Sequence, residues 1–328
     1  MKEQILQWLK QHDGYVSGQA LCDHFGVSRT AVWKHIQNLK KEGYVIDSVS
    51  NKGYKLISSP DALISEEVLP KLKTKWAGRH YYYYAETDST NIRGKQLADE
   101  GAPHGSLVVA EKQTAGRGRR GRTWLIPEGE SITMSLILKP DMELVNASML
   151  TLVAAMAIAD AVRQALGDEA QCYIKWPNDI VVNGKKICGI LTEMTTEADY
   201  INSIIIGIGL NVNTTAFDPS VRDVATSLKL ETGRTYSRSQ LIADVMEAFE
   251  KYDALFMQTQ DLSALIEDYN AMLINRDRQV RVIEQDGEHI VTARTVTKTG
   301  GLLVENADGT QREIISGEVS VRGVLGYV

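Results

Sequence analysis

The stretch SGQALCDHFGVSRTAVWKHIQNLKKEGY (17 to 44) leaves a chain little choice of local fold. Ser17 is placed to cap a helix that stops at Gly26. Ser28 is placed to cap a second helix that runs toward Gly43, since serine satisfies first-turn N–H groups and glycine ends helices. Two helices parted by the tight FGVS turn make a helix-turn-helix. On the second helix Val32, Ile36 and Leu39 share one stripe and are assigned to the core, while Thr30, Lys34, Gln37 and Lys41 lie opposite. The following YVIDSVSNKGYKLI alternates apolar and polar residues around SNKG, the pattern of a two-stranded hairpin. Helix, turn, helix and hairpin together predict a winged helix.

Charge supports a nucleic-acid partner for this module. Residues 1 to 60 carry eight Lys/Arg against five Asp/Glu in a chain whose formal net charge is -6, so a basic module is joined to an acidic body. The outer face of the second helix is expected in a major groove, with Ser28, Arg29, Thr30, Lys34, Gln37 and Lys41 toward DNA and Lys52 of the wing toward phosphates. The competing use of such a module is protein contact alone. One module per chain reads only a half-site, so a repressor built this way is expected to dimerise.

At 328 residues the chain exceeds ordinary single-domain size, so two or three domains are expected. Hydrophobic residues at 43% and charged residues at 24% exclude wholesale disorder. The start, MKEQILQWLKQHDG, has no uninterrupted apolar run, so it reads as neither a signal peptide nor an anchor. The segment MLTLVAAMAIADAV (149 to 162) carries Thr151 and Asp160 and reads as too short to span a bilayer. A cytoplasmic location with no membrane partner is expected. Cys22, Cys172 and Cys188 lack any CxxC spacing, which speaks against a disulfide framework or zinc site, and no residue is nominated as a metal ligand.

A second constraint lies in the middle of the chain. TAGRGRRGRTW (114 to 124) packs Arg117, Arg119, Arg120 and Arg122 among glycines. Gly116 and Gly118 are read as permitting positive φ and close approach of backbone to an anion; a solvated basic loop is the alternative. The loop follows a buried strand, LVVAEKQ, and precedes another, SITMSLILK. Upstream, HYYYYAETDSTN reads as a strand running into a helix whose start, at Asp88, Ser89 or Thr90, suits an anion or polar headgroup as well as ordinary capping. SMLTLVAAMAIADAVRQALG (148 to 167) reads as a helix buried all round. In YIKWPNDIVVNGKKICGILTEM, the WPND turn and the Asn183-Gly184 hairpin place Lys186 on the returning strand, opposite in face to Ile187, Gly189 and Leu191. It is either a surface lysine or a cation aimed into a cleft. In INSIIIGIGLNVN, Gly207 and Gly209 bare one strand face for close approach of a ligand. No P-loop and no arranged nucleophile exists, so chemistry by positioning and charge stabilisation is expected.

The series Asp88-Ser89-Thr90-Asn91, Gln113, GRGRRGRTW, KWPND, KKICGIL and GIGLNVN, in that order and behind a winged helix, resembles the bifunctional biotin protein ligases that also repress biotin operons. The resemblance covers essentially the whole chain. It implies an α+β multidomain protein: a winged-helix domain at 1 to 58, a linker at 59 to 66, a biotin/lipoate-ligase-like catalytic domain at 67 to 274, and an SH3-like β-barrel at 275 to 328. The tail, RDRQVRVIEQDGEHIVTARTVTKTGGLLVENADGTQREIISGEVSVRG (276 to 323), alternates apolar residues between the turn signals EQDGE, KTGG and NADGT and reads as that small barrel; its part is to support ATP or acceptor binding, or only to cap the fold.

The implied reaction has two steps. A biotin carboxylate oxygen attacks the α-phosphorus of ATP and pyrophosphate leaves; a lysine of a biotin carboxyl carrier domain of a carboxylase then attacks the biotinoyl-5'-AMP. Arg117, Arg119 and Lys186 match ligand-contacting positions, with Lys186 and Arg119 in the catalytic role. Ser89, Thr90, Asn91 and Gln113 match residues around biotin. Gly116, Gly118, Trp124, Asn178 and Asn211 complete the biotin and adenylate set. Magnesium is expected with the triphosphate, and operator DNA and a ligand-bound homodimer are the implied partners. A ligand-sensing repressor without turnover and a lipoate-attaching enzyme are the competing readings.

Overall fold

The computed structural model describes residues 1–124, 127–197, 200–284, 287–315, 320–323 and 327–328. The chain divides into two compact units, Met1–Pro70 and Lys71–Val328. The first contains α1 (Lys2–Lys10), α2 (Gly18–Phe25), α3 (Arg29–Lys41), a hairpin of β1 (Val45–Val49) and β2 (Gly53–Ser58), and a short α4 (Ser65–Val68). Both expected caps form: Ser17 accepts from the Ala20 N–H and Ser28 from the Ala31 N–H, and Gly26 closes α2 with φ 64°. Ile5, Leu9, Leu21, Val32, Ile36, Leu39 and Ile46 make one core. Glu67 is buried and pairs with Lys10 at 2.7 Å, which draws α4, part of it expected in a linker, into this unit.

The second unit is built on a seven-stranded sheet in the order β3-β4-β5-β9-β8-β7-β6. Its strands are β3 (Tyr81–Thr87), β4 (Ser106–Gln113), β5 (Ser131–Leu138), β6 (Cys172–Lys175), β7 (Asp179–Val182), β8 (Lys185–Glu197) and β9 (Tyr200–Asn211). β3 and β4 are parallel, joined through α5 (Thr90–Asp99), and every other neighbour is antiparallel. Gly207 pairs with Ser135 and Leu191, and Gly209 with Thr133 and Gly189, so these residues share a face. α5 lies on that face, with Gly94 against Ile205. Thr192, on the alternate face, bonds Thr151 of α6 (Leu150–Leu166), which places α6 behind the sheet together with α8 (Arg238–Thr259).

Helix α6 with its preceding 3₁₀ turn spans Leu144–Leu166, long and apolar enough to cross a membrane. Its length therefore does not exclude spanning, contrary to the expectation. What accounts for its composition is that 12 of the 17 residues of α6 are buried, leaving a narrow face at Asp160, Arg163 and Gln164 outside the core rather than a helix buried all round.

After α7 (Leu228–Thr232), α8 and α9 (Ile266–Met272), the chain ends in a β-rich domain, an antiparallel sheet ordered β13-β12-β11-β10-β14. Its strands are β10 (Arg278–Glu284), β11 (Gly287–Val296), β12 (Leu302–Glu305), β13 (Gln311–Ile314) and β14 (Ser320–Gly323). The KTGG and NADGT turns appear with Gly300 and Gly309 at positive φ. The centre of the EQDGE turn, 285–286, lies outside the described residues, as do parts of the ISGEVSVRG segment.

Candidate active site

The bare sheet face forms the floor of a cleft. Asn91 Oδ1 lies 2.2 Å from where a Cβ on Gly207 would stand, and the Trp124 ring 2.4 Å from where one on Gly209 would stand. Only glycine admits both contacts. The lining brings together Ser89, Thr90, Asn91, Gln113, Arg117, Gly118, Arg119, Trp124, Asn178 and Lys186. Two expected site residues stand outside it: Gly116 is buried at the loop's base, and Asn211 spends its amide N–H on the Thr226 carbonyl.

At one end the groups are neutral and mutually bonded. Ser89 heads α5 without making a side-chain capping bond. Gln113 Oε1, at the end of β4, accepts from the Thr90 N–H at 2.8 Å and from its hydroxyl at 3.2 Å. The Ser135 hydroxyl lies 2.6 Å from Asn91 Oδ1 and 2.8 Å from Thr90 Oγ1. Asn91 Nδ2 donates to the Leu191 carbonyl and, at 2.7 Å, to Glu193. Burial would raise the Glu193 pKa, but hydrogen bonds from Lys95 and Asn91 and the charges of Lys95 and Arg117 hold it below the usual range.

At the other end the arginine loop folds back on itself. The Trp124 N–H donates to the Gly116 carbonyl at 2.9 Å and the Gly118 N–H to the Arg122 carbonyl at 2.7 Å. Gly116 and Gly118 do not take positive φ as expected; Arg120 and Gly121 at the loop tip do. Gly116 is required for space instead, since a Cβ there would meet the Trp124 carbonyl at 2.2 Å. Arg117, Arg120 and Arg122 are exposed. Arg119 turns inward to donate to Asn178 Oδ1 at 3.0 Å, and burial lowers its pKa.

Lys186 is also displaced from its expected face. A bulge between β7 and β8 pairs Val181 with Lys186 and Ile180 with Cys188, leaving Ile187 as the extra residue. The bulge breaks strict alternation. Lys186 Nζ consequently lies 2.9 Å from where a Cβ on Gly189 would stand, inside the cleft, and 2.5 Å from Asp179 Oδ1. Burial would raise the Asp179 pKa, but Lys186, the Tyr327 hydroxyl and Lys175 together keep it low. Lys175, 4% exposed, is pulled down to about 8 by burial.

Several contributors carry no sequence signal: Ser135 and Glu193 behind Asn91, Gly189 beneath Lys186, and Tyr327 on Asp179. Two buried polar atoms, Trp124 Nε1 in the cleft lining and Asn211 Oδ1 outside it, have no hydrogen-bond partner within the protein. Such atoms cost free energy unless a ligand or water meets them. Among the described residues no three acidic, histidine or cysteine side chains converge on a metal position.

In the first unit, Arg29, Thr30, Lys34, Lys41 and Lys52 are exposed as expected, Gln37 is half-buried, and Ser28 is committed to its cap. Arg29 is held to Gln19 Oε1 at 2.8 Å. Trp33, 56% exposed on α3, joins that outer surface without having been expected there.

Residues 83–211 match the biotin/lipoate A/B protein ligase family, 2–55 an HTH domain, and 277–322 the biotin protein ligase C-terminal domain. The chain is 42% identical to the bifunctional ligase/repressor BirA of Bacillus subtilis, with 91% of each chain covered. It is 31% identical to the Escherichia coli protein of that name, covering 93% of this chain and 92% of that one. Its fold is similar to the Aquifex aeolicus biotin protein ligase solved with biotin and ATP, at TM-score 0.66 and 28% identity, covering 75% of this chain and 99% of that one. With its N-terminal helix-turn-helix module and a cleft that carries the family's motifs, the chain belongs to the biotin protein ligases, in their bifunctional ligase and repressor group.

Proposed function

We propose that the cleft of this biotin ligase divides its two substrates between its two ends. Ser89, Thr90, Asn91 and Gln113 hold the biotin ring system, whose ureido group needs donors and acceptors in an otherwise enclosed slot. Arg117, Arg119 and Lys186 receive the phosphates, and Trp124 and Asn178 border the adenylate, with Trp124 Nε1 unpaired within the protein; Asn211 supports the site from outside its lining. The observation that carries this reading is the gathering of Arg117, Arg119 and Lys186 into one cleft with Ser89, Thr90, Asn91 and Gln113, with Arg119 held on Asn178 and Lys186 on Asp179.

The chemistry follows from that placement. One carboxylate oxygen of biotin attacks the α-phosphorus, a new P–O bond forms, and the bond to pyrophosphate breaks. Negative charge grows on the phosphoryl oxygens and the leaving group, where fixed cations lower the barrier. The acceptor lysine's neutral amine then attacks the biotinoyl carbonyl, an amide forms, and AMP leaves. The chain presents no cluster of its own for magnesium among the described residues, so the ion would be carried by the triphosphate oxygens. We place the catalytic domain from Lys71, after the first unit, to 274, the β-rich domain after it, and the protein in the cytoplasm. Incubation with biotin, ATP, magnesium and a purified carboxylase carrier domain, followed by intact mass, tests the reading: one biotin-sized gain on one lysine is expected, and none refutes it.

The winged helix makes the same molecule a repressor whose corepressor is biotinoyl-AMP. Each monomer offers one recognition helix, so tight binding requires a dimer spanning two half-sites, and the ligand acts by favouring that dimer. A coupling of roughly 1 to 3 kcal/mol changes operator affinity by about 5 to 150 fold. Sedimentation with labelled two-fold-symmetric operator DNA at fixed salt should show association rising with biotin and ATP and falling when unmodified carrier domain is added. Equal binding under all three conditions would remove the switch and leave the ligase.

A further inference from the structure

The turn from Trp176 to Asp179 presents Asn178 to Arg119 and Asp179 to Lys186, and the C-terminal segment holds that turn at three points. The Trp176 N–H donates to Asn275 Oδ1 at 3.0 Å and the indole N–H to the Gly300 carbonyl at 3.1 Å. The Tyr327 hydroxyl donates to Asp179 Oδ2 at 2.5 Å. The two oxygens of Asp179 therefore have different partners, with Lys186 on Oδ1. Beneath the Tyr327 ring, Lys175 Nζ lies 3.5 Å from the centroid. A largely desolvated cation under an aromatic face fixes the ring's place.

We propose that Tyr327 is a positioning residue of the ligase reaction, holding Oδ2 of Asp179 so that Lys186 keeps only one oxygen and leaves it readily for a phosphate. The proposal rests on the assignment of Lys186 to the nucleotide end of the cleft. A carboxylate engaged on both oxygens cannot swing to grip the lysine more fully, and it stays hydrogen-bonded when the lysine departs. Without the hydroxyl, Asp179 turns its second oxygen to Lys186 and the cation reaches the triphosphate less easily. The C-terminal segment thus acts on ATP through an intermediary.

The test uses the full chain and steady-state pyrophosphate release. Tyr327→Phe keeps the ring over Lys175 and removes one charge-assisted hydrogen bond, so KM for ATP should rise roughly tenfold, with KM for biotin unchanged. In an Asp179→Asn background the same substitution should change neither constant. Three results overturn the proposal: a KM for ATP equal to the parent's, an effect that persists in the Asp179→Asn background, or equal rises for biotin and ATP, which would mean general loosening. Calorimetric biotin binding by the variant shows whether it has folded. A Lys186→Ala chain as active as its parent would instead remove the assignment beneath the proposal, so the two failures are separable.

Discussion

At the α5 end of the cleft, Thr90, Asn91, Gln113 and Ser135 satisfy one another through short bonds over a glycine floor. At the far end, the groups that meet phosphates are held by protein partners instead: Arg119 by Asn178, and Lys186 by Asp179. The first arrangement is preorganised for a neutral ligand of fixed shape. The second keeps cations poised against partners that an arriving anion can replace. A two-substrate ligase gains from both, because preorganisation lowers the cost of binding and exchange lets charge be delivered where it develops.

The largest effect is expected at the charged end. Lys186→Ala should slow adenylate formation by about two to three orders of magnitude, the scale for loss of a preorganised charge, while biotin still binds. Biotin-dependent pyrophosphate release checks it. An unchanged rate would mean that the lysine only pairs with Asp179 and that the contrast between the ends is false.

At the neutral end the sharpest probe is Gly207→Ala. The added methyl would stand 2.2 Å from Asn91 Oδ1, so Asn91 must leave its Ser135 and Glu193 partners. Overpacking on the order of 1 to 3 kcal/mol should weaken biotin roughly 5 to 150 fold, with the ATP constant little altered. Calorimetry with each substrate separates the two. Equal losses would show one coupled site rather than two ends.

Arg119→Ala removes the guanidinium that Asn178 holds in this structure. A guanidinium that pairs with the phosphate holds the adenylate, so its loss should speed release of biotinoyl-AMP by roughly tenfold, the worth of a charge-assisted bond. Stopped-flow displacement measures this. A rate equal to the parent's would leave Arg119 bonded to Asn178 throughout.

The same division separates what sequence discloses from what it does not. The winged helix is legible because its signals are local: Ser17 and Ser28 cap the turn they begin, and Gly26 closes the helix before it. The glycines of β9 are legible for a similar reason, since a strand that gives up side chains at Gly207 and Gly209 needs a cause. Period-two reasoning puts Lys186 on the wrong face because it holds only while a strand is regular, and the bulge at Ile187 reverses it. Ser135 and Glu193 lie 44 and 102 residues from the Asn91 they hold, and Tyr327 lies 148 from Asp179. Nothing in spacing predicts such partners; the sheet order brings them together. Trp33 stands one helical turn from Thr30 and Gln37, so the helix period places it on the outer face, where it is exposed.

The smallest effect is expected behind the neutral end, where Glu193 anchors Asn91. Its carboxylate takes Lys95 at 2.6 Å and Asn91 at 2.7 Å, and these bonds hold its pKa below the ordinary value despite partial burial. A carboxyl more acidic in the folded chain than in the unfolded one binds fewer protons when folded. Its contribution is therefore complete above the unfolded value of about 4.3 and fades as pH falls through the lower folded value. Glu193→Gln retains an acceptor for Asn91 but has no charge for Lys95. The variant should be less stable than the parent by about 0.5 to 1 kcal/mol at neutral pH, and the two should converge below the folded pKa. Urea unfolding at pH 7 and at acid pH gives both differences. A gap that stays constant with pH would mean that shape and not charge secures Asn91, making the neutral end independent of ionisation even in its support.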